Sequence, residues 1–195
     1  MATTKYRRKK RNHGVAILII LVASIILGFA VDGGITLIEK SLHPVKYSEY
    51  VEKYAEEYNV PVSLVYAIIK TESKFKADAQ SSAGAVGLMQ FMPDTFHDIT
   101  TNYLYENLDN AMRYDPETSI KYGTFYIAWI YQNYAHNWET AIAAYNAGIG
   151  RVRGWLESAE YSADGKTLDV IPFSETEAYV ERVLEAAEKY RELYS

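Results

Sequence analysis

One carboxylate in this chain falls on a face where an apolar residue is expected. Val65, Ile68, Ile69 and Glu72 stand at i, i+3, i+4 and i+7, so a helix carries them on a single stripe. A stripe of that kind points into a core. Burying a carboxylate without a cation disfavours its charged form and raises its pKa. A carboxylic acid kept protonated near neutral pH can protonate the leaving oxygen of a glycosidic bond. The plainer alternative is a glutamate at a helix end that reaches water, and periodicity does not separate the two. Lys70 and Lys74 are close in sequence but project from other faces of the helix.

The residues that follow suit a substrate lying close to the backbone. Glu72-Ser73-Lys74-Phe75 precedes Ser81-Ser82-Ala83-Gly84-Ala85-Val86-Gly87-Leu88-Met89-Gln90-Phe91-Met92-Pro93. Two glycines among small residues permit a close approach, and Gln90 offers a donor and an acceptor suited to an acetamido group. Asp78 and Asp94 are the nearest rival carboxylates. Asp78 reads as a loop residue and Asp94 as a first-turn helix acid. His97 and His136 are isolated, and no pair of residues has metal-ligand spacing.

The elements that must hold these residues read as helical almost throughout. Residues 47–58 carry Tyr50, Val51, Tyr54 and Tyr58 at helical spacing. Pro61 suits the first position of the next helix, which continues to about Phe75. A Gly/Ser/Ala-rich loop covers about 77–87. Asp115-Pro116 is an N-cap with proline behind it, opening a helix to about Tyr134. Asn137 caps another, which stops at Gly148. Ser174-Glu175-Thr176-Glu177 has the form of a capping box, and Val180, Val183, Leu184 and Ala187 carry the last helix. A small β-ribbon within 158–170 is the one sheet element the pattern leaves open. Of the three tryptophans, Trp129 and Trp138 fall at core-like spacings and Trp155 is ambiguous. Most of the 18 tyrosines should pack helices with the hydroxyl at the surface. The charges Glu181, Arg182, Glu185, Glu188 and Lys189 read as a solvated face.

The first residues differ from the rest. Six of the 20 Lys/Arg lie in residues 1–13, with no acid among them. The other 182 residues carry 14 bases against 25 acids, a formal charge of −11. A domain that acidic is a poor partner for nucleic acid. Residues 14–31 follow the basic block without a charge, and as a helix they span roughly 27 Å, close to a bilayer core. The expected organisation is a basic cytoplasmic tail at 1–13, a single-pass transmembrane anchor at 14–31, a linker at 32–46 and an extracytoplasmic domain at 47–195. A cleaved signal peptide is the alternative, but its apolar region would be shorter. The absence of cysteine excludes disulfides and thiol catalysis.

Three segments together carry a resemblance. Glu72-Ser73-x-Phe75 with the Ser81–Pro93 stretch, then Ala144-Tyr145-Asn146-Ala147-Gly148-Ile149-Gly150-Arg151-Val152, then Ile171-Pro172-Phe173-Ser174-Glu175-Thr176 with Tyr179-Val180, resemble the motifs of the lytic murein transglycosylases related to goose-type lysozyme, in the same order. The resemblance spans most of the soluble region. It implies an all-α, lysozyme-like catalytic domain of the transglycosylase SLT type acting on peptidoglycan glycan strands. Glu72 then matches the single catalytic acid/base. Ser81, Gln90 and Met92 match positions near the N-acetyl groups of the substrate. Tyr145 and Asn146 match a pair facing the acid, and Glu175 and Tyr179 match groove residues of the last helix. The implied reaction breaks the β-1,4 bond between N-acetylmuramic acid and N-acetylglucosamine and forms a 1,6-anhydro end, with neither metal nor cofactor. A hydrolase of the same fold and a catalytically silent glycan-binding module are the alternatives. The sequence departs from the pattern at Ile149, where the family often has proline, and at Ser119-Ile120, where Asn-Ile is frequent. The second departure puts a helix-packing hydrogen bond in doubt.

Overall fold

The computed structural model describes the backbone of residues 13–194. The expected basic tail lies outside the described residues, apart from His13. The chain divides into two units, residues 1–42 and 43–195.

The described part of the first unit is one helix, α1 (His13–Leu42). It does not stop at Gly33-Gly34, so the stretch expected to begin a linker at residue 32 is helical to Leu42. Two glycines cost a helix about 1 kcal/mol each relative to alanine, and no proline intervenes before Pro44. Large apolar side chains stand exposed along α1, among them Ile17, Leu21, Ile25, Phe29, Leu37 and Ile38. Side chains at 13–16, 19, 20 and 23 lie outside the described residues. Among the described residues no helix is long and apolar enough to cross a membrane, so the anchor expected at 14–31 is not shown by the fold.

The second unit begins at His43, earlier than the expected domain start. His43 is buried, with its ring edge-on to Tyr190. Its carbonyl accepts from the Tyr194 hydroxyl and that of Pro44 from the Tyr190 hydroxyl, at 2.8 and 3.0 Å. His43 and Pro44 are thus strapped to the domain through α8.

The domain is helical: α2 (Ser48–Glu57), α3 (Val62–Ser73), α4 (Pro93–Asp98), α5 (Pro116–Ile130), α6 (Trp138–Ala147), α7 (Ile149–Leu156) and α8 (Ser174–Tyr194). Single π-helical turns extend α4 over Ile99–Tyr103 and α5 over Tyr131–Ala135, and a 3-10 turn spans Asn110–Tyr114. Among the described residues there is no strand, only the isolated bridges Gln80–Val86 and Val86–Phe91. The ribbon left open at 158–170 is instead a set of turns. Asp164 accepts from the amides of Lys166 and Thr167 at 2.7 and 2.8 Å, which curls the chain locally and leaves no extended ladder.

The caps agree with the sequence where a side chain was available to make them. The Asp115 carboxylate accepts from the Thr118 amide at 2.9 Å, and the Asn137 side chain from the Thr140 amide at 2.8 Å. Gly148 joins α6 to α7 at φ +90°, a conformation that favours glycine. Two starts lie one residue from expectation. Pro61 flanks α3 as its cap, and Ser174 is the first residue of α8, with the Phe173 carbonyl accepting from the Glu177 amide at 2.9 Å.

α3 runs through the centre of the domain. Leu64, Val65, Ile68 and Ile69 are buried, and α3 packs along α8, which also packs on α6. Each buried Leu, Ile or Val contributes roughly 1.5–3 kcal/mol. Trp155, ambiguous in sequence, is a core residue set edge-on to Phe173.

Candidate active site

Glu72 lies in the last turn of α3, so the stripe that buries Val65, Ile68 and Ile69 also delivers the carboxylate. The helix then stops abruptly. Lys74 and Phe75 both take left-handed backbone, at φ +52° and +62°, and the buried Phe75 side chain anchors the turn. Non-glycine residues in that region carry a conformational cost that the surrounding packing must offset.

Glu72 itself is only partly buried. One carboxylate oxygen, Oε1, accepts from the Tyr179 hydroxyl at 2.6 Å. Burial pushes the Glu72 pKa up to about 7, while the Tyr179 hydrogen bond and the positive charge of Arg182 pull it the other way. Its place at the negative end of the α3 dipole acts in the same direction as burial. The charged group acting on it is cationic, so the shift does not come from a pair of carboxylates sharing a proton. Arg182, one turn beyond Tyr179 on α8, was read in sequence as part of a solvated face. It is exposed, yet its charge reaches Glu72.

Two tyrosines attend the acid. Tyr179 is buried and donates to it directly. Tyr145, near the end of α6, donates to the Met89 carbonyl at 2.8 Å and packs its ring on Tyr126. Burial and the nearby Glu72 carboxylate hold both phenols well above their ordinary pKa. They are therefore hydrogen-bond donors near neutral pH and not bases.

The loop between Phe75 and Met92 is built by backbone bonds and by two side chains singled out in the sequence. Ser81 exchanges backbone bonds with Ala85 and Gly84, and its Oγ accepts from the Ala85 amide at 3.0 Å. Gln90 takes a left-handed conformation, and its Nε2 donates to the carbonyls of Ala79 and Gly87 at 3.2 and 2.9 Å. Both partners are acceptors, which fixes the amide orientation. The expectation that Gln90 offers a donor as well as an acceptor to substrate is thus corrected: its N–H groups tie the loop, and Oε1 is the acceptor that remains. Met92 follows, 40% exposed, at the start of α4.

Asn146 and Glu175 lie where α6 and α8 meet. Asn146 is exposed, and its Oδ1 accepts from the Thr176 hydroxyl at 2.9 Å. That bond directs the Asn146 amide nitrogen away from Thr176. Glu175 is exposed in the first turn of α8. The structure thus brings Tyr179 and Tyr145 to Glu72. Ser81, Gln90 and Met92 belong to the loop that follows α3, and Asn146 and Glu175 to the α6–α8 junction.

Several residues that set this geometry carry no local sequence signal. Arg113 is buried, and its guanidinium donates to the carbonyls of Phe91, Asn110 and Gly84 at 2.8, 2.9 and 3.4 Å. Its one visible mark in sequence is that it is the sole Lys or Arg between Asp94 and Glu117. Ser119, the departure noted above, accepts from the Met89 amide at 3.1 Å, so the hydrogen bond in doubt is supplied by a hydroxyl. Gly123 gives Met89 room: a Cβ there would stand 2.2 Å from the Met89 sulfur. Tyr145 bonds the carbonyl of the same Met89, so α5 and α6 both hold the loop.

The electrostatics carry a pH prediction. Tyr179→Phe removes a hydrogen bond that favours the charged form of Glu72, so the Glu72 pKa should rise. A step that needs Glu72 protonated fails as pH rises through that pKa. The alkaline limb of a kcat–pH profile should therefore move to higher pH in the variant. An unmoved limb would detach Tyr179 from the acid.

Comparison with known proteins accords with this geometry. Residues 49–168 match the transglycosylase SLT domain family. The chain is 37% identical over 150 residues to the soluble lytic murein transglycosylase of Escherichia coli K12, covering 76% of this chain and 23% of that protein. It is 30% identical over 166 residues to a membrane-bound lytic murein transglycosylase C of Actinobacillus pleuropneumoniae, covering 74% and 46%. The crystal structure of the soluble lytic transglycosylase from E. coli superposes with a TM-score of 0.69 at 34% identity, over 79% of this chain and 25% of that one. The chain spans about a quarter of the soluble relatives' length and under half of the membrane-bound one's. With its three motifs converging on the end of α3 in a lysozyme-like helical fold, the chain belongs to the transglycosylase SLT domain family.

Proposed function

We propose that this protein is a peptidoglycan lytic transglycosylase with Glu72 as its single acid/base. The observation that carries the reading is Glu72 itself, an acid lifted to about pH 7 by burial, bonded to Tyr179 and without a carboxylate partner. Glu72 gives its proton to the oxygen linking N-acetylmuramic acid to N-acetylglucosamine, and the bond from that oxygen to C1 of the muramic sugar breaks. The substrate's acetamido oxygen stabilises the cationic C1, as in substrate-assisted glycosidases, so no second carboxylate is required. Glu72, now ionised, accepts the proton of the muramic C6 hydroxyl, whose oxygen closes on C1. The acid is regenerated, and water is not consumed.

In this reading Tyr179 orients the Glu72 carboxylate, leaving Oε2 for the proton. Tyr145 and the amide nitrogen of Asn146 face the sugar, and Ser81, the Gln90 Oε1 and Met92 border the acetamido groups. Glu175 borders the groove from α8. Names of similar proteins support the substrate: the relatives above are lytic murein transglycosylases. Digestion of purified sacculi tests it. Muropeptides with anhydro ends are expected, and fragments one water heavier, with reducing ends, would assign a muramidase instead.

We also propose that residues 14–31 anchor the protein, with 1–13 cytoplasmic and 47–195 extracytoplasmic. The supports are the basic block before an uncharged apolar run, the exposed apolar side chains of α1, and the membrane-bound relative. The full chain should stay in the membrane pellet after alkaline carbonate washing. Release into the wash would refute the anchor.

A further inference from the structure

A cluster of rings begins at the candidate active site and leaves it along α5. Tyr145 packs on Tyr126, with ring centroids 5.5 Å apart, and Tyr126 stacks on Trp129 at 6.5 Å and 13°. Trp129 then meets Tyr103 at 4.6 Å and Tyr134 at 5.1 Å, both edge-on. Tyr126 and Trp129 are three apart on α5, on one face of the helix. The other two rings come from separate segments: Tyr103 closes the π-helical turn after α4, and Tyr134 lies in the π-helical turn after α5. Turns of that kind are rare and concentrate at functional sites. Here two of them deliver a ring to the same tryptophan.

Burial alone does not account for the cluster. Tyr103 is 38% exposed, and Tyr126, Trp129 and Tyr134 are each only half-buried, whereas the core aromatics Phe96 and Tyr122 are almost fully covered. Asn102 lies on the turn that carries Tyr103 and Asp98 ends α4 just before it; both are exposed, and the Asn102 amide donates to the Asp98 carboxylate. Half-exposed rings near a carboxylate and an amide match the chemistry of a pyranose, which offers a C–H face to a ring and hydroxyls to polar groups.

We propose that Trp129, with Tyr103, Tyr126 and Tyr134, is a stacking platform for a saccharide unit of the glycan strand at a distance from the bond that is cut. The platform rests on the glycan-cleaving reading above and deepens it. It gives the site a length preference: a strand that reaches Trp129 binds more tightly than a fragment that ends at Tyr145. Trp129, Tyr103 and Tyr134 act on binding, and Glu72 and Tyr179 act on the bond.

Calorimetric binding in the Glu72→Gln background tests this, using long glycan strands from amidase-treated sacculi and a short fragment of two disaccharide units. Tyr103→Ala, at an exposed ring, and Trp129→Leu, which keeps an apolar side chain, should each weaken long-strand binding by about three- to tenfold. Short-fragment affinity should be unchanged in both variants. Long-strand affinity unchanged in both variants overturns the platform. An equal loss for both ligands also overturns it, because the cluster would then merely support the catalytic end. If the parent Glu72→Gln protein binds neither glycan, the glycan reading itself has failed, and the platform falls with it.

Discussion

Glu72→Gln is expected to remove turnover of peptidoglycan while leaving the fold and glycan binding in place. The amide keeps the shape of the side chain and can still meet the Tyr179 hydroxyl, but it can neither give a proton to the glycosidic oxygen nor take one from the C6 hydroxyl. General acid and base contributions of about 10²–10⁴-fold are typical for each role. One residue serves both, so the loss in kcat should be a thousandfold or more, at the upper end of that range. The same substitution has an effect on stability whose sign follows from the shift. The folded pKa of about 7 lies above the ordinary 4.5, so the folded state holds its proton more tightly than the unfolded chain does. Stability from this group is present below the unfolded value and is lost as pH rises through 7. Glutamine has no charge to bury. The variant should therefore melt above the wild type at pH 8 and near it at pH 4. Thermal scans at the two pH values check this, and a variant that melts lower at both would show that Glu72 is structural.

Gly87→Ala should cost about 3 kcal/mol or more and reduce activity with it. Gly87 sits at φ +83°, where an L side chain is strained, and a Cβ on it would stand 2.0 Å from the Arg113 carbonyl oxygen. The obstruction is backbone, which cannot rotate away. The neighbouring Arg113 guanidinium also holds the Phe91 carbonyl, and Ser119 holds the Met89 amide, so a shift at residue 87 passes to the whole loop. Left-handed strain and overpacking each contribute about 1–3 kcal/mol. Gly84, at φ +91°, has open space around its Cβ position and should suffer only the first of these. Chemical denaturation of Gly84→Ala and Gly87→Ala compares them, with the larger loss expected at residue 87. Equal losses would mean that the approach of Arg113 is unimportant.

Much of this site was legible because local rules were not in conflict. The stripe of Val65, Ile68, Ile69 and Glu72 belongs to one helix, so periodicity puts the acid on the inward-facing side but leaves open whether it reaches water, and Glu72 is in fact partly buried. Asp115 and Asn137 cap their helices with their own side chains, and those starts fall where the sequence places them. What joins distant segments was not legible. Tyr179 meets Glu72 across 107 positions, and the motif resemblance, not spacing, singled it out. Arg113, Ser119 and Gly123 act on the loop between Phe75 and Met92, and Thr176 acts on Asn146 of α6, and nothing beside them in sequence says so. Arg182 looked like one charge among several on a solvated face, because its relation to Glu72 exists only once α8 lies along α3. The stretch expected as a linker failed for a different reason. Glycine weakens a helix without ending it, so the backbone continues through Gly33-Gly34 to Leu42 where a linker was expected from residue 32. Gln90 shows the opposite limit. Its chemistry suits an acetamido group, but a side chain that must hold its own loop has spent its donors before a substrate arrives.

A single acid that cuts the strand while the substrate closes on itself would leave no oxygen from water at the new end. Digestion of sacculi by the wild-type protein in water enriched in oxygen-18 tests this most directly. New muramic ends are expected to be 1,6-anhydro and to carry no oxygen-18, because the oxygen that closes on C1 is the sugar's own. New ends that carry one oxygen-18 atom at C1 would contradict it and make the protein a hydrolase.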